Sequence, residues 1–258
     1  MTLADKAAEL RRLHEDPELL VMVNVWDVAS AKVLSEQAGC RAIATASHSI
    51  AASHGYEDGE NIPVDEMLTA VGRIAAAVDL PVSADLEAGY GNAGETIRRA
   101  IGVGVVGANL EDEMKPFDEA VAAVTAAVKA GEAEGVPLAL NARTDAFLLA
   151  GDRDREAVMA DAIERGKAFL DAGATCVFVP GKFDNAADVE RLVEGIGRRK
   201  ISLIAVPGSL HQAQLTELGV ARISFGPWSQ RMALTAWGDT AADLLGGASL
   251  PGGVRAVI

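Results

Sequence analysis

The sequence has few basic residues for its size. Its 258 residues include 23 lysines and arginines against 37 aspartates and glutamates, which gives a formal net charge of −14. This excess of negative charge argues against nucleic acid and against anionic membranes as partners, because both attract proteins largely through positive charge. It does not exclude a small anionic substrate, since binding then depends on the charges inside the site.

Cysteines and long apolar runs are also scarce. The two cysteines, Cys40 and Cys176, are far apart in sequence and form no CxxC pair, so we expect both to be small core residues. No apolar stretch approaches the ~20 residues of a membrane span, and the first residues lack the pattern of a signal peptide. We therefore expect a cytoplasmic protein without a membrane partner.

Half of the residues are hydrophobic, and short apolar runs alternate with helical patterns along the chain. After a predicted N-terminal helix over residues 4–14, each predicted strand is followed by a helical pattern. The predicted strands cover residues 19–25, 41–46, 82–86, 105–110, 137–141, 175–179, 201–206 and 221–225. Strict alternation predicts a parallel sheet, and the number of units predicts a closed (β/α)₈ barrel of the TIM type, in one domain over residues 1–258. A doubly wound open sheet is the alternative, although no G-x-G-x-x-G motif opens the first helix of the series.

Polar residues lie at the carboxyl ends of the predicted strands or just beyond them. In a barrel these ends meet at one mouth, where the active sites of such folds lie. The residues expected there are Asp27, Asp58, Asp85, Glu87, Glu111, Asn141 and Arg143. The sequence therefore predicts an acidic pocket faced by one arginine. Arg143 has two candidate roles: it neutralises Asp145 or Glu111, or it binds the oxygens of a substrate.

The stretch from Pro81 to Gly91 gives the clearest chemical signal. It begins as a buried strand and ends in Asp85 and Glu87, which strand alternation places on the same side. Two adjacent carboxylates repel each other unless a cation lies between them, and Mg²⁺ prefers oxygen ligands of this kind. A metal site is one interpretation. The other is that both acids cap the next helix or pair with basic residues at the surface.

Four motifs occur in a fixed order along the chain. They are N-V-W-D-V-A-S-A at residues 24–31, S-A-D-L-E-A-G-Y-G at 83–91, N-L-E-D at 109–112 and N-A-R-T-D-A at 141–146. Together they resemble the isocitrate lyase / phosphoenolpyruvate mutase superfamily over nearly the whole chain, and the D-x-D/E-x-G-Y-G element is the most specific. The resemblance implies a barrel enzyme that binds Mg²⁺, with Mn²⁺ as an alternative, and a small 2-oxo acid or dicarboxylate.

The resemblance also implies a metal-binding set. Asp85 would contact the Mg²⁺ ion directly, and Glu87, Glu111 and Asp58 would hold the water molecules of the ion. Mg²⁺ usually keeps several waters, so one direct carboxylate is chemically reasonable. A bound Mg²⁺ would stabilise the negative charge of an enolate as a Lewis acid.

For the substrate, the resemblance implies contacts from two strand ends. The backbone N–H groups of Ser47 and His48 would hold the substrate carboxylate. Arg143 would bind the substrate's oxygens, with Asn141 on the same strand as a second substrate contact, and its planar guanidinium suits carboxylate oxygens. Arg143 and Asp58 are the predicted catalytic residues.

The segment from Asp112 to Ala120 departs from the family pattern. Lyases of this superfamily carry a K-K/R-C-G-H loop there, whereas this chain has D-E-M-K-P-F-D-E-A, without cysteine or histidine. Isocitrate lyase activity is therefore not expected. The predicted activity is carbon–carbon cleavage or decarboxylation of a small 2-oxo acid through an enolate. The alternatives are a non-catalytic binder of such acids, a phosphonopyruvate or phosphoenolpyruvate mutase, or a hydrolase.

Other polar residues have open interpretations. Asp27 either caps the helix that follows it or supports the pocket. Asp112 and Asp145 are expected to support the site residues. Gly208 and Gly226 follow the last two strands, where many barrels bind phosphate, which leaves a phosphate-ester enzyme as a minor alternative. The superfamily exchanges its last helix between subunits, so the resemblance implies a homo-oligomer, a dimer or a tetramer.

Overall fold

The structure is a computed structural model, and it describes residues 1–255. Within these residues, nine parallel strands form one sheet in the order β1-β9-β8-β7-β6-β5-β4-β3-β2. The strands are β1 Leu20–Met22, β2 Asn24–Val25, β3 Ile43–Thr45, β4 Val82–Asp85, β5 Gly107–Glu111, β6 Ala139–Arg143, β7 Cys176–Phe178, β8 Ile201–Ile204 and β9 Arg222–Ser224.

Helices connect the strands and surround the sheet. They are α1 Leu3–Glu15, α2 Val28–Ser35, α3 Ser47–Ser53, α4 Val64–Ala76, α5 Ala93–Gly102, α6 Phe117–Ala133, α7 Arg155–Asp171, α8 Ala186–Ile196, α9 Gln212–Leu218 and α10 Trp228–Leu245. Of these helices, none has the length and apolar character that crossing a membrane requires.

The sheet closes into a barrel because its first predicted strand, divided into β1 and β2, pairs with a neighbour on each side. β1 pairs with β9, with Leu20 opposite Arg222, and β2 pairs with β3, with Asn24 opposite Ala44. One residue, Val23, separates β1 from β2, so both edges of the sheet fall on the same short stretch of chain. The predicted (β/α)₈ barrel is confirmed, and the open-sheet alternative is wrong. The ninth strand results from the break at Val23 in the first predicted strand.

Helix α1 closes the amino-terminal end of the barrel. Its buried face carries Leu10, Leu13 and His14, and His14 Nδ1 lies 2.8 Å from the Leu10 carbonyl oxygen. A Cβ atom added to Gly107, near the start of β5, would lie 2.5 Å from a methyl carbon of Leu10, so this end of the barrel leaves no room for a larger residue there. The opposite, carboxyl end is therefore the open one.

Two helices start without a side-chain cap. Helix α3 begins at Ser47, two residues after the end of β3, with Ala46 at its N-cap. Helix α4 has Pro63 at its N-cap, and Asp65 lies in its first turn. Asp27 caps α2, as one interpretation held, and accepts a hydrogen bond of 2.7 Å from the Ser30 N–H.

Candidate active site

A cavity of about 380 Å³ opens at the carboxyl ends of the strands. It is lined by Asn24, Ala46, Ser47, His48, Asp58, Asp85, Asn109, Arg143, Leu148, Phe178, Pro180, Gly181, Lys182, Ile204, Val206, Ser224, Gly226 and Pro227. A groove of similar volume, about 400 Å³, lies outside the barrel beside α2, and its one acid, Asp27, is the cap of that helix. The titratable groups therefore converge on the cavity at the barrel mouth.

Asp85, the last residue of β4, is held firmly at the cavity wall. Its Oδ2 atom accepts hydrogen bonds from the backbone N–H and the hydroxyl of Ser47, at 3.1 and 2.9 Å. Its Oδ1 atom accepts a bond of 3.3 Å from the Asn109 amide, and its own N–H donates to the Thr45 hydroxyl at 2.9 Å. These three accepted bonds fix the carboxylate and leave about one of its four acceptor sites, on Oδ1, for a further partner.

Glu87 lies behind this wall, outside the residues that line the cavity. The chain leaves β4 at Asp85, and Glu87 has a φ of 52°, so the strand alternation that predicted a shared side for the two acids does not extend to it. One oxygen of Glu87 accepts a bond of 2.9 Å from the Tyr90 hydroxyl, and the other accepts from the Glu60 N–H. Burial, together with the negative charges of Asp58 and Asp85, raises the pKa of Glu87 to about 7.

Glu111 and Arg143 end the neighbouring strands β5 and β6 and lie opposite each other in the sheet. The Arg143 guanidinium forms an ion pair with Glu111, and its Nε atom lies 2.6 Å from Asp145 Oδ1. Burial acts to lower the pKa of Arg143, but the two carboxylates outweigh burial and raise it. Arg143 also lies over the Phe178 ring, with 5.9 Å between Cζ and the ring centroid. The side chain therefore neutralises both acids and also lines the cavity.

The other predicted contacts divide into two groups. Ser47, His48 and Asp58 line the cavity, and the Ser47 hydroxyl lies 3.4 Å from Asp58 Oδ1. Asn141 is buried beneath the cavity and does not line it. The Asn141 side-chain NH₂ group donates to the Asn109 side-chain oxygen at 2.9 Å, so Asn141 contacts a residue that lines the cavity.

Sequence reasoning missed Arg222, which is fully buried inside the barrel. Its guanidinium donates to the Ser83 hydroxyl and to the Asn109 side-chain oxygen, each at 3.4 Å, and it forms no ion pair with an acid in the described part of the chain. Burial lowers the pKa of Arg222 to about 10. Because Arg222 and Asn141 both donate to the Asn109 oxygen, the Asn109 NH₂ group is directed at Asp85. The sequence indicates this buried cation only by one arginine in the otherwise apolar run 220–223.

Sequence reasoning also missed Glu60, which anchors the segment that carries Asp58. The Glu60 N–H donates to Glu87, and the Glu60 carboxylate accepts a bond of 2.6 Å from the Tyr90 N–H. These two contacts attach the segment between α3 and α4 to the turn after β4. Asp58 is thereby held at the cavity, beside Ser47.

The remaining predictions can be placed as well. β5 ends at Glu111 and α6 begins at Phe117, so the connection is short. Asp112 accepts hydrogen bonds from the buried Arg165 at 3.1 Å and from the Asp145 N–H at 2.9 Å, which is a supporting role.

The Gly226 N–H donates to the Asn24 side-chain oxygen at 2.8 Å. It is therefore not free for a phosphate, and this weakens the phosphate-ester alternative.

Neither cysteine lies at the cavity. Cys176 is buried at the start of β7, at the amino-terminal end of that strand, and burial raises the pKa of its thiol to about 12. Cys40 is half-buried, and burial raises the pKa of its thiol as well. A thiolate nucleophile is thus absent from the cavity lining in residues 1–255.

The acids of the cavity fit a cation that keeps most of its water. Within the described chain, no three carboxylate, imidazole or thiol side chains come together as a complete protein cage for a metal. Asp85 and Asp58 both line the cavity, and Asp85 Oδ1 keeps about one acceptor site for a further partner. Mg²⁺ is commonly bound through one or two carboxylates, with waters and substrate oxygens as the other ligands. The donor set therefore fits Mg²⁺ and not a metal that needs four protein ligands.

This geometry can be compared with known proteins. The family model for phosphoenolpyruvate phosphomutase matches residues 10–245. The chain belongs to the phosphoenolpyruvate mutase family, within the isocitrate lyase superfamily that the motifs suggested.

Three similar proteins illustrate the family. A solved structure from Burkholderia cenocepacia J2315 with a provisional phosphonomutase assignment is 36% identical, with a TM-score of 0.87 over 96% of this chain and 100% of that one. The 2,3-dimethylmalate lyase of Eubacterium barkeri is 28% identical over 83% of this chain and 77% of its own. The oxaloacetate decarboxylase of Paraburkholderia xenovorans LB400 is 30% identical over 67% of this chain and 60% of its own. The relatives of the chain are thus lyases, decarboxylases and mutases, which supports an enzyme.

Proposed function

We propose that this protein is a Mg²⁺-dependent enzyme that cleaves or decarboxylates a small 2-oxo acid through an enolate. The observation that carries the proposal is the cavity itself, because it brings Asp85, the start of α3 and Arg143 around one volume at the barrel mouth. Bound Mg²⁺ would supply Lewis-acid stabilisation of the enolate oxygen. The lyase and decarboxylase relatives support the same class of reaction.

The side chains would then have distinct tasks. Asp85 would hold the metal, and the bonds from Ser47 and Asn109 would keep its carboxylate in position. The Ser47 N–H already donates to Asp85, so the His48 N–H, in the first turn of α3, is the group left for a substrate carboxylate. Arg143 would place a fixed cation near the oxygens where negative charge develops.

The proposal can be tested by direct assay. Purified protein would be incubated with oxaloacetate and related 2-oxo acids, with Mg²⁺ or Mn²⁺, while pyruvate release is measured. Asp85→Asn keeps the shape of the side chain and should abolish both turnover and calorimetric Mg²⁺ binding. Asp118→Asn removes an exposed acid of α6 and is the matched control.

Two results would contradict the proposal. Unchanged Mg²⁺ affinity in Asp85→Asn would exclude Asp85 as a ligand. Mg²⁺-dependent binding of 2-oxo acids without turnover of any of them would favour the non-catalytic binder, an alternative that the short connection between Glu111 and Phe117 supports.

We also propose that the protein is a homo-oligomer in the cytoplasm. Helix α10 packs on the barrel near its start, where Gln230 is buried and bonds the Ser49 carbonyl at 3.0 Å. Farther along, Met232, Leu234 and Trp237 expose more than half of their surface, which is a large apolar area for one helix. The free thiols of Cys40 and Cys176 support a reducing compartment.

A further inference from the structure

The two sides of the cavity differ in chemistry. Counting β1 and β2 as one position, β8 lies four positions from β4 in either direction around the barrel, so Ile204 faces Asp85 across the mouth. The side formed by β3 to β6 carries the acids, the Asn109 amide and Arg143, while Asn24, on β2, lies between the two sides. The side formed by β7 to β9 carries Phe178, Ile204 and Val206, so it is mainly hydrocarbon.

This second side, which we call the apolar wall, has few groups that could bind a charged part of a ligand. Among the described lining residues it has one cation, Lys182, and one side-chain hydroxyl, that of Ser224. The Lys182 ammonium lies 3.2 Å from Asp184, and its side chain is 56% exposed, so this cation lies at the solvated rim, where an ion pair contributes little. Arg143, the other cation of the cavity, is paired with Glu111 and Asp145.

A second carboxylate on a substrate would therefore lose water at the apolar wall without gaining a free cation. Burying an unpaired carboxylate is strongly unfavourable, whereas burying a methylene or methyl group is favourable. The wall is also closely packed at its base, because a Cβ atom on Gly226 would lie 2.8 Å from the Ile204 Cδ1 atom. The space above it therefore suits a short hydrocarbon group.

We infer that the 2-oxo acid bound in this cavity carries a short uncharged alkyl group at the end remote from its 2-oxo carboxylate. This inference rests on the proposed function and narrows it: the 2-oxo acid that the reaction uses or forms is an alkyl monocarboxylate, and not a dicarboxylate. Phe178, Ile204 and Val206 are then the residues that determine specificity.

The test uses a matched pair of five-carbon ligands, 2-oxopentanoate and 2-oxopentanedioate, which differ by a terminal methyl or carboxylate. With the full-length protein and saturating Mg²⁺, calorimetry should show 2-oxopentanoate binding at least on the order of 10-fold more tightly. Val206→Lys adds a cation to the apolar wall and should reduce or invert this preference by a similar factor. Val206→Leu changes the size of the side chain without charge and should keep the preference.

The outcomes separate this inference from the proposed function. Tighter binding of 2-oxopentanedioate by the wild-type protein, with pyruvate also bound, would overturn the inference alone. The same preference in Val206→Lys as in Val206→Leu would show that Val206 does not face the ligand, and would also overturn it. Absence of Mg²⁺-dependent binding for pyruvate and for both five-carbon acids would overturn the proposed function and this inference with it.

Discussion

Replacing Arg143 separates its two roles most sharply. The guanidinium contacts two carboxylates, Glu111 and Asp145, while it also faces the cavity. Arg143→Met would leave both acids without their cation, and breaking a buried pair in this way typically costs about 3–5 kcal/mol of unfolding free energy. Arg143→Lys keeps the positive charge but loses the planar set of N–H donors of the guanidinium. Loss of one charged hydrogen bond typically costs about 1.5–3 kcal/mol, so we expect a loss of about 2 kcal/mol for this variant.

For a protein of this length, about 2 kcal/mol corresponds to a fall in melting temperature of roughly 4–8 °C. If Arg143 also binds substrate oxygens, the rate should fall much further. Removing one donor from a site of developing charge typically lowers kcat by about 10²–10³. Arg143→Lys should therefore lose at least about 10² in kcat/KM on the best 2-oxo acid, at a temperature where the variant is fully folded.

The pH dependence of stability provides a check on the structural role. Burial already raises the pKa of Asp145 above its usual 3.8, and loss of the Arg143 charge would raise it further. A carboxyl whose pKa is higher in the folded state is more stable in its neutral form. Relative to the wild-type protein, Arg143→Met should therefore be least destabilised at low pH, and its loss of stability should grow as the pH rises through the raised pKa of Asp145.

Thermal melts, Mg²⁺ calorimetry and steady-state kinetics of Arg143→Lys and Arg143→Met decide between the roles. Arg73 of α4 is exposed and lies outside the cavity lining, so Arg73→Lys is the control for a general effect of replacing an arginine by lysine. If Arg143→Lys loses stability but keeps its rate within about threefold, the contact with substrate is refuted and Arg143 serves only to neutralise its neighbours.

Three further outcomes are expected. Cys40→Ser and Cys176→Ser should leave turnover unchanged, and a loss of activity beyond any loss of stability would indicate a thiol mechanism. Alkylation of Cys176 in the native protein should be very slow, because burial raises the pKa of its thiol. Arg222→Met should keep or raise the urea midpoint, since it replaces a buried cation without an acid partner by hydrocarbon. A loss of more than about 2 kcal/mol of unfolding free energy would show that the hydrogen bonds of Arg222 to neutral partners outweigh its desolvation. Trp237→Ser should shift the sedimentation of the wild-type oligomer toward smaller species, and a wild-type protein that is monomeric at micromolar concentration would contradict the proposed assembly.

The barrel and the ends of its strands could be predicted from the sequence. Apolar runs alternate with helical patterns, and a parallel sheet buried on both faces requires such runs. Asp85, Glu111 and Arg143 each end a strand, and the carboxyl ends of a barrel meet at one mouth. Their convergence therefore follows from topology alone, and the structure bears it out for Asp85 and Arg143 at the cavity.

Depth inside the barrel could not be predicted in the same way. Asn141 precedes Arg143 by two residues on β6, yet it lies under the cavity floor, bonded to Asn109. How far each residue stands from the mouth depends on the tilt and stagger of the strands, which the sequence does not display. The left-handed backbone at Glu87 is equally hidden, because a glutamate rarely adopts a positive φ and nothing in the motif indicates that it does.

The placement of charge explains why these hidden features matter for the proposed function. Asp58 and Asp85 face the cavity, whereas Arg143 is occupied by Glu111 and Asp145, so the mouth has more negative than positive charge. Arg222, another buried cation, donates to Asn109, which in turn donates to Asp85, and Arg222 forms no ion pair with Asp85 in the described residues. Among residues 1–255, the one cation of the apolar wall is Lys182, at the solvated rim. An acidic mouth of this kind favours a divalent cation that brings the substrate carboxylate with it, because neither the acids nor the ligand then remains uncompensated.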